Sequence, residues 1–116
     1  MAEDNELNFE LINDLLELDG HRVTWARDGG EALRLARSQA PPLLLLDLHL
    51  PVTSGREVLR SLRAEPGAGA MKIMVLSADA MVGTRDEVLA AGADAYLAKP
   101  FDLRAFRDLV RELLGP

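Results

Sequence analysis

Apolar and polar positions along this chain switch repeatedly between a helical and a strand-like period. Leu7, Leu11, Leu15 and Leu18 recur at helical spacing, and Phe9, Ile12 and Leu16 widen the stripe. That spacing predicts a helix capped by Asn5 and closed by Gly20. Arg22 to Ala26 alternates with period two, Val23 and Trp25 on one face, the pattern of a short strand. Asp28-Gly29-Gly30 reads as a turn; Ala32, Leu33 and Ala36 mark a small helix that Pro41-Pro42 stops. Leu43 to Leu46 is a short apolar run between a proline pair and the polar Asp47, which suits a strand buried on both faces. Leucine does not favour strands, so length and context carry that reading.

The second half repeats the alternation. Ser54 caps a helix bearing Val58, Leu59 and Leu62; residues 65–70 form a Pro/Gly/Ala loop; Lys72 to Leu76 is a second buried strand running into Ser77. Met81 to Ala91 reads as a helix closed by Gly92, Asp94 to Ala98 as a strand ending before Lys99-Pro100. Asp102 caps a last helix with Leu103, Phe106, Val110 and Leu113 on one face. Strands separated by helices imply an α/β fold: a doubly wound parallel sheet with right-handed crossovers and helices on both faces. Ligands of such sheets sit at the carboxyl ends of the strands, where Asp47, Ser77 and Lys99 all fall.

Composition narrows the chemistry. The 116 residues suit one domain, with 48% apolar and 28% charged residues. Nineteen acids against thirteen Lys and Arg give a net charge of −6, a poor match for nucleic acid or an anionic membrane. The absence of cysteine excludes disulfides, thiolate catalysis and Cys-ligated metal. No apolar run approaches a membrane span and Met1-Ala2-Glu3-Asp4 is no signal peptide, so a cytoplasmic protein is expected.

Taken singly, Asp47 is a loop cap, Ser77 a turn residue, Lys99 a surface lysine and Glu3-Asp4 a helix-start acidic pair. Taken together, three acids, a hydroxyl and a lysine map to one edge of one sheet. Clustered carboxylates repel unless a cation joins them, and oxygen ligands with open positions suit Mg²⁺. A nearby lysine supplies a point charge for a phosphoryl group. The set fits phosphoryl transfer onto a carboxylate, with Asp47 as nucleophile and Lys99 and Ser77 holding phosphoryl oxygens.

These residues lie in motifs that resemble the receiver domain of two-component response regulators. The matching pieces are Glu3-Asp4-Asn5, Asp47-Leu48-His49-Leu50-Pro51 with Gly55, Val75-Leu76-Ser77-Ala78 and Ala98-Lys99-Pro100-Phe101, in order and at family spacing. The resemblance covers essentially the whole chain, 1–116, and implies a CheY-like, flavodoxin-like sheet of order 2-1-3-4-5 with five helices. By that resemblance Asp47 accepts a phosphoryl group from a histidine kinase or a histidine phosphotransfer protein. Mg²⁺ is then held by Asp4, Asp47 and the backbone carbonyl of His49, with Glu3 acting through water. Ser77 and Tyr96 match the family's switch positions, through which phosphorylation changes binding of a downstream protein target. The Lys99–Pro100 bond is expected to be cis. His49 and Asp79 stand where the family tunes hydrolysis, although the His49 side chain fits plain solvent exposure equally well. His21 reads as a surface residue.

The chain departs from the pattern at its start. A receiver begins with an apolar strand of about five residues, the central one of the sheet, and here only Met1-Ala2 precede Glu3. Without it, neighbouring strands would stand about 9–10 Å apart with both ladders open. Three arrangements answer this: a chain shortened at its N-terminus, a strand supplied by a partner or a second subunit, or pairing by Met1-Ala2 alone. The alternatives to a phosphoacceptor are a pseudo-receiver that only docks proteins, and an aspartyl-phosphate hydrolase. The hydrolase is disfavoured by His49, which occupies the place of its second Asp. A flavin-binding domain of related fold is disfavoured because no Ser/Thr-rich phosphate loop follows a first strand. The last helix and the strand before it form either a homodimer face or ordinary surface.

Overall fold

The computed structural model describes residues 1–2, 6–50, 53–65, 71–77, 83–99 and 102–114, with residues 6–8 described by their backbone alone. Among the described residues five helices and three strands follow in the order α1 (Glu6–Leu18), α2 (Gly29–Gln39), β1 (Leu43–Asp47), α3 (Gly55–Arg63), β2 (Lys72–Ser77), α4 (Thr84–Ala90), β3 (Ala95–Ala98) and α5 (Leu103–Leu114). The strands are parallel in the order β1-β2-β3, with Leu43 opposite Lys72 and Met74 opposite Ala95. Isolated bridges join Ala2 to both Ala26 and Leu46. The order is therefore Ala26, Ala2, β1, β2, β3, which matches the expected 2-1-3-4-5 arrangement, with Ala26 and Ala2 as the bridging residues of its first two members among the described residues.

Pleating divides the core into two layers. Leu44 and Leu46 of β1 and Ile73 and Val75 of β2 pack with α2, α3 and α4 residues such as Ala32, Val58, Leu59 and Val88. Leu45, Met74 and Leu76 point the other way, onto Ile12 and Leu16 of α1 and Phe106 and Val110 of α5. A run of four leucines thus forms a strand because both of its faces are covered.

Three expectations change. Arg22–Ala26 is not a strand; only Ala26 bridges, because its neighbour offers two residues rather than a full ladder. The helix expected from Met81 spans Thr84–Ala90, and Met81 and Val82 lie outside the described residues. Asp28-Gly29-Gly30 is not a free turn but a helix start, where Asp28 caps α2 by accepting from Glu31 N at 2.8 Å. Gly29 is required there, since a Cβ would meet Thr53 O at 1.7 Å. Met1-Ala2 close the gap in the sheet: Ala2 N donates to Leu45 O at 2.8 Å, Asp47 N to Ala2 O at 3.1 Å and Ala26 N to Met1 O at 2.8 Å.

Polar ties hold the helices in place. Arg63 of α3 donates to Gly92 O and Met71 O, each at 2.8 Å, and to Asp94 Oδ2 at 2.6 Å. Asp94 also accepts from Ile73 N at 2.8 Å, which fixes the entry to β3. Asp19, just beyond α1, pairs with Arg107 of α5 through both carboxylate oxygens. The hydrogen bond from Arg107 holds the Asp19 carboxyl below its ordinary value, with charge attraction to Arg107 and Arg111 in the same sense and desolvation opposing. A carboxylate with a depressed folded pKa stabilises the fold above its unfolded value and loses that contribution as pH falls through the folded one. Arg107→Gln is therefore expected to lower the thermal midpoint at neutral pH, and the gap from the parent should close as pH drops below about 4. Melting curves across that range check this; a gap independent of pH would show that Arg107 acts by packing alone.

Candidate functional site

The site stands at the carboxyl ends of the strands. Asp47 is the last residue of β1 and is 5% exposed. Its Oδ1 accepts from His49 N at 2.7 Å and its Oδ2 from Lys99 Nζ at 2.6 Å. Lys99 follows β3 directly, so two strand ends aim the two charges at each other across β2. Its side chain keeps 18% exposure, which leaves the ammonium within reach of a group arriving from solvent.

Ser77 ends β2, between those strands, and is fully buried. Its carbonyl accepts from Lys99 N at 2.7 Å, tying the backbones of these two residues together. Gly55, the first residue of α3, explains how a helix approaches this point so closely. A Cβ there would meet Asp47 O at 2.2 Å and Leu48 Cα at 2.6 Å, a backbone collision only glycine avoids. Gly55 N donates to Leu48 O at 3.0 Å, and Ser54 caps the helix by accepting from Glu57 N at 3.3 Å.

The structure thus brings together Asp47 and Lys99 through their side chains and Ser77 through its backbone. His49 is at the site by its amide, and its side chain is exposed. Tyr96 lies mid-strand in β3, opposite Val75, half-buried against the α2–α4 side of the core. Glu3, Asp4, Asp79 and Pro100 lie outside the described residues, so the acidic pair and the Lys99–Pro100 bond are not placed. Among the described residues no three His, Asp or Glu side chains cluster as a metal cage. The role of the His49 amide had no signature in the sequence, because every residue but proline offers that donor.

A doubly wound sheet that buries a carboxylate against a lysine at its strand ends is the architecture of a receiver domain. The family model for the response regulator receiver domain matches residues 1–111, and the chain belongs to that family. It is similar to the polar-differentiation response regulator DivK of Brucella anthropi, 36% identical over 115 residues, covering 99% of this chain and 94% of that protein. It is equally similar, at 36% identity and a TM-score of 0.88, to the receiver domain of a sensor histidine kinase from Pseudomonas aeruginosa, with 99% of this chain and 94% of that one covered. That domain holds a magnesium ion in its active-site cleft. A Francisella response regulator receiver domain superposes with a TM-score of 0.90 at 29% identity, covering 97% of this chain and 92% of that one. The protein is accordingly a regulatory domain of two-component signalling. Among the described residues no helix is long and apolar enough to cross a membrane.

Proposed function

We propose that this receiver takes a phosphoryl group from a phosphohistidine onto Asp47, with Mg²⁺, and thereby changes its affinity for a partner. The carrying observation is the 2.6 Å contact between Lys99 Nζ and Asp47 Oδ2: a buried carboxylate held ready beside a cation that can follow the incoming negative charge. An Asp47 oxygen forms the new O–P bond while the P–N bond of the donor breaks, and the donor's imidazole nitrogen keeps the electron pair and takes up a proton. Lys99 and the Ser77 hydroxyl then hold phosphoryl oxygens, and the His49 amide keeps the attacking carboxylate oriented.

Asp47 offers the hard oxygen donor that Mg²⁺ requires, and Glu3 and Asp4, adjoining the bridged Ala2, are the acids proposed to complete the set with the His49 carbonyl. Mg²⁺ supplies neutralisation of the charge shared by carboxylate and phosphoryl oxygens. The magnesium ion in the active-site cleft of the Pseudomonas receiver supports Mg²⁺ as the cation.

Phosphorylation adds charge and strong acceptors where Ser77 and Lys99 converge, and favours whichever loop arrangement pairs with them better. Ser77 drawn toward the phosphoryl group leaves room for Tyr96 to turn in, altering the surface from about residue 82 through α5. The proposed partners are a histidine kinase or histidine phosphotransfer protein upstream and a protein target downstream, in the cytoplasm, with the β3–α5 face available to a second copy. Residues 1–116 act in this reading as one receiver domain.

Intact mass after incubation with Mg²⁺ and acetyl phosphate tests the central claim. One added phosphoryl group is expected, lost when a chelator removes the metal. No uptake under any condition would leave a pseudo-receiver that works by docking alone.

A further inference from the structure

The level of β3 in the sheet is weakly determined by packing. Its residues pair with β2 alone among the described residues, and its side chains are half-buried or exposed, whereas β2 is buried along almost its whole length. A strand without a fully buried face has a weakly specified register. Yet Lys99 follows β3 directly, and its 2.6 Å contact with Asp47 depends on that register. A slip of two residues keeps every side chain on its face but carries Lys99 roughly 6–7 Å along the sheet, out of bonding reach.

Side chains set the register at the other end of the strand. Asp94 N donates to Ile73 O at 2.8 Å, the rung by which the chain enters β3. In a regular parallel ladder Ile73 N would donate in turn to the carbonyl two residues before Asp94, that of Gly92. The chain turns away there, with Gly92 at φ +114°. The Asp94 carboxylate takes the place of that carbonyl, accepting from Ile73 N at 2.8 Å. Gly92 O accepts instead from Arg63 Nε at 2.8 Å. Arg63 also donates through Nη1 to Met71 O at 2.8 Å, just before β2, and through Nη2 to Asp94 Oδ2 at 2.6 Å. One guanidinium thus grips the entries of both strands, and its side chain is only 16% exposed. Both ends of α3 are committed: Arg63 closes the helix over the strand entries, and Gly55 opens it against the backbone of Asp47.

We infer that Arg63 and Asp94 are positioning residues for Lys99: together they fix the level at which β3 enters the sheet and so hold the ammonium opposite Asp47. The consequence for phosphoryl transfer rests on the function proposed above; the placement of Lys99 does not.

The test uses the full chain with Asp94→Ala, which removes the acceptor shared by Ile73 N and Arg63, and with Asp94→Asn, which keeps an oxygen for Ile73 N but gives up the charge. Phe106→Leu serves as a variant that lowers stability without altering these bonds. One readout is hydrogen exchange of the Lys99 amide, which donates to Ser77 O, relative to the amides of the β1–β2 ladder. The other is the rate of phosphoryl uptake from acetyl phosphate with Mg²⁺. Asp94→Ala is expected to speed relative exchange at Lys99 about tenfold, the order set by losing a hydrogen bond to a charged group, and to slow uptake several-fold. Asp94→Asn should fall between it and the parent, and it carries the same comparison if the alanine variant does not fold. Phe106→Leu should change all of these amides by one common factor. If the Asp94 variants also acted on every amide by one factor, or left Lys99 exchange at the parent rate, the inference would be overturned. A parent chain that takes up no phosphoryl group would end the proposed function, while exchange at Lys99 would still decide the positioning role.

Discussion

Asp47→Asn is expected to abolish phosphoryl uptake outright while leaving a folded protein. The amide oxygen of asparagine can still accept from His49 N, so the loop after β1 keeps its tie. What disappears is the anionic oxygen that faces Lys99, and a neutral amide is no nucleophile toward phosphorus. Removing one partner of a buried ion pair costs about 3–5 kcal/mol when the orphaned charge stays buried. Lys99 retains 18% exposure and can turn to solvent, so the loss of stability should fall below that range. Intact mass and thermal melting on the same sample separate the two effects. If the Asp47→Asn protein still gained a phosphoryl group under Mg²⁺ and acetyl phosphate, the acceptor would lie elsewhere.

Phe106→Ala should produce the greatest loss of stability. Phe106 is completely buried in the layer shared by α1, α5, Met74 and Leu76, and it is the aromatic centre of that layer. Truncating a buried phenylalanine removes about 3–5 kcal/mol, against about 5–15 kcal/mol for a whole domain. Denaturant titration should show the transition moving to much lower concentration. Phe106→Leu keeps most of the volume and is expected to recover more than half of the loss. If leucine and alanine were equally damaging, ring-specific contacts rather than volume would govern this layer.

The parts of the fold that local pattern specifies were legible in the chain: the existence of the first helix, the leucine strand, and the caps at Ser54 and Asp102; the stripe expected on that helix was not its buried face, since Leu11 and Leu18 are exposed and Ile12 and Leu16 are buried. Asp102 Oδ1 does accept from Arg104 N at 2.7 Å, as an N-cap should. Features set by distant neighbours were not. Arg22–Ala26 carries strand alternation, yet a ladder needs a partner of equal length. Two glycines after Asp28 suggest a turn on propensity alone; the helix starts there under the Asp28 cap, and the approach of Thr53 is what requires glycine at position 29. Asp19 and Arg107 are 88 residues apart, and nothing in either segment announces the pair. At the site, Asp47, Ser77 and Lys99 were recognisable because the topology forces strand ends together, whereas the His49 amide is chemically anonymous in a sequence.

The hydrogen bond from Lys99 N to Ser77 O has a mechanical corollary. It ties the main chains of the two positions proposed to hold the phosphoryl group at a single rung, which couples their backbone movements. On the proposed reading, a signal leaving Asp47 would travel through side-chain torsions at that rung or through the chain beyond it, with the sheet as the fixed anvil against which those small movements are registered.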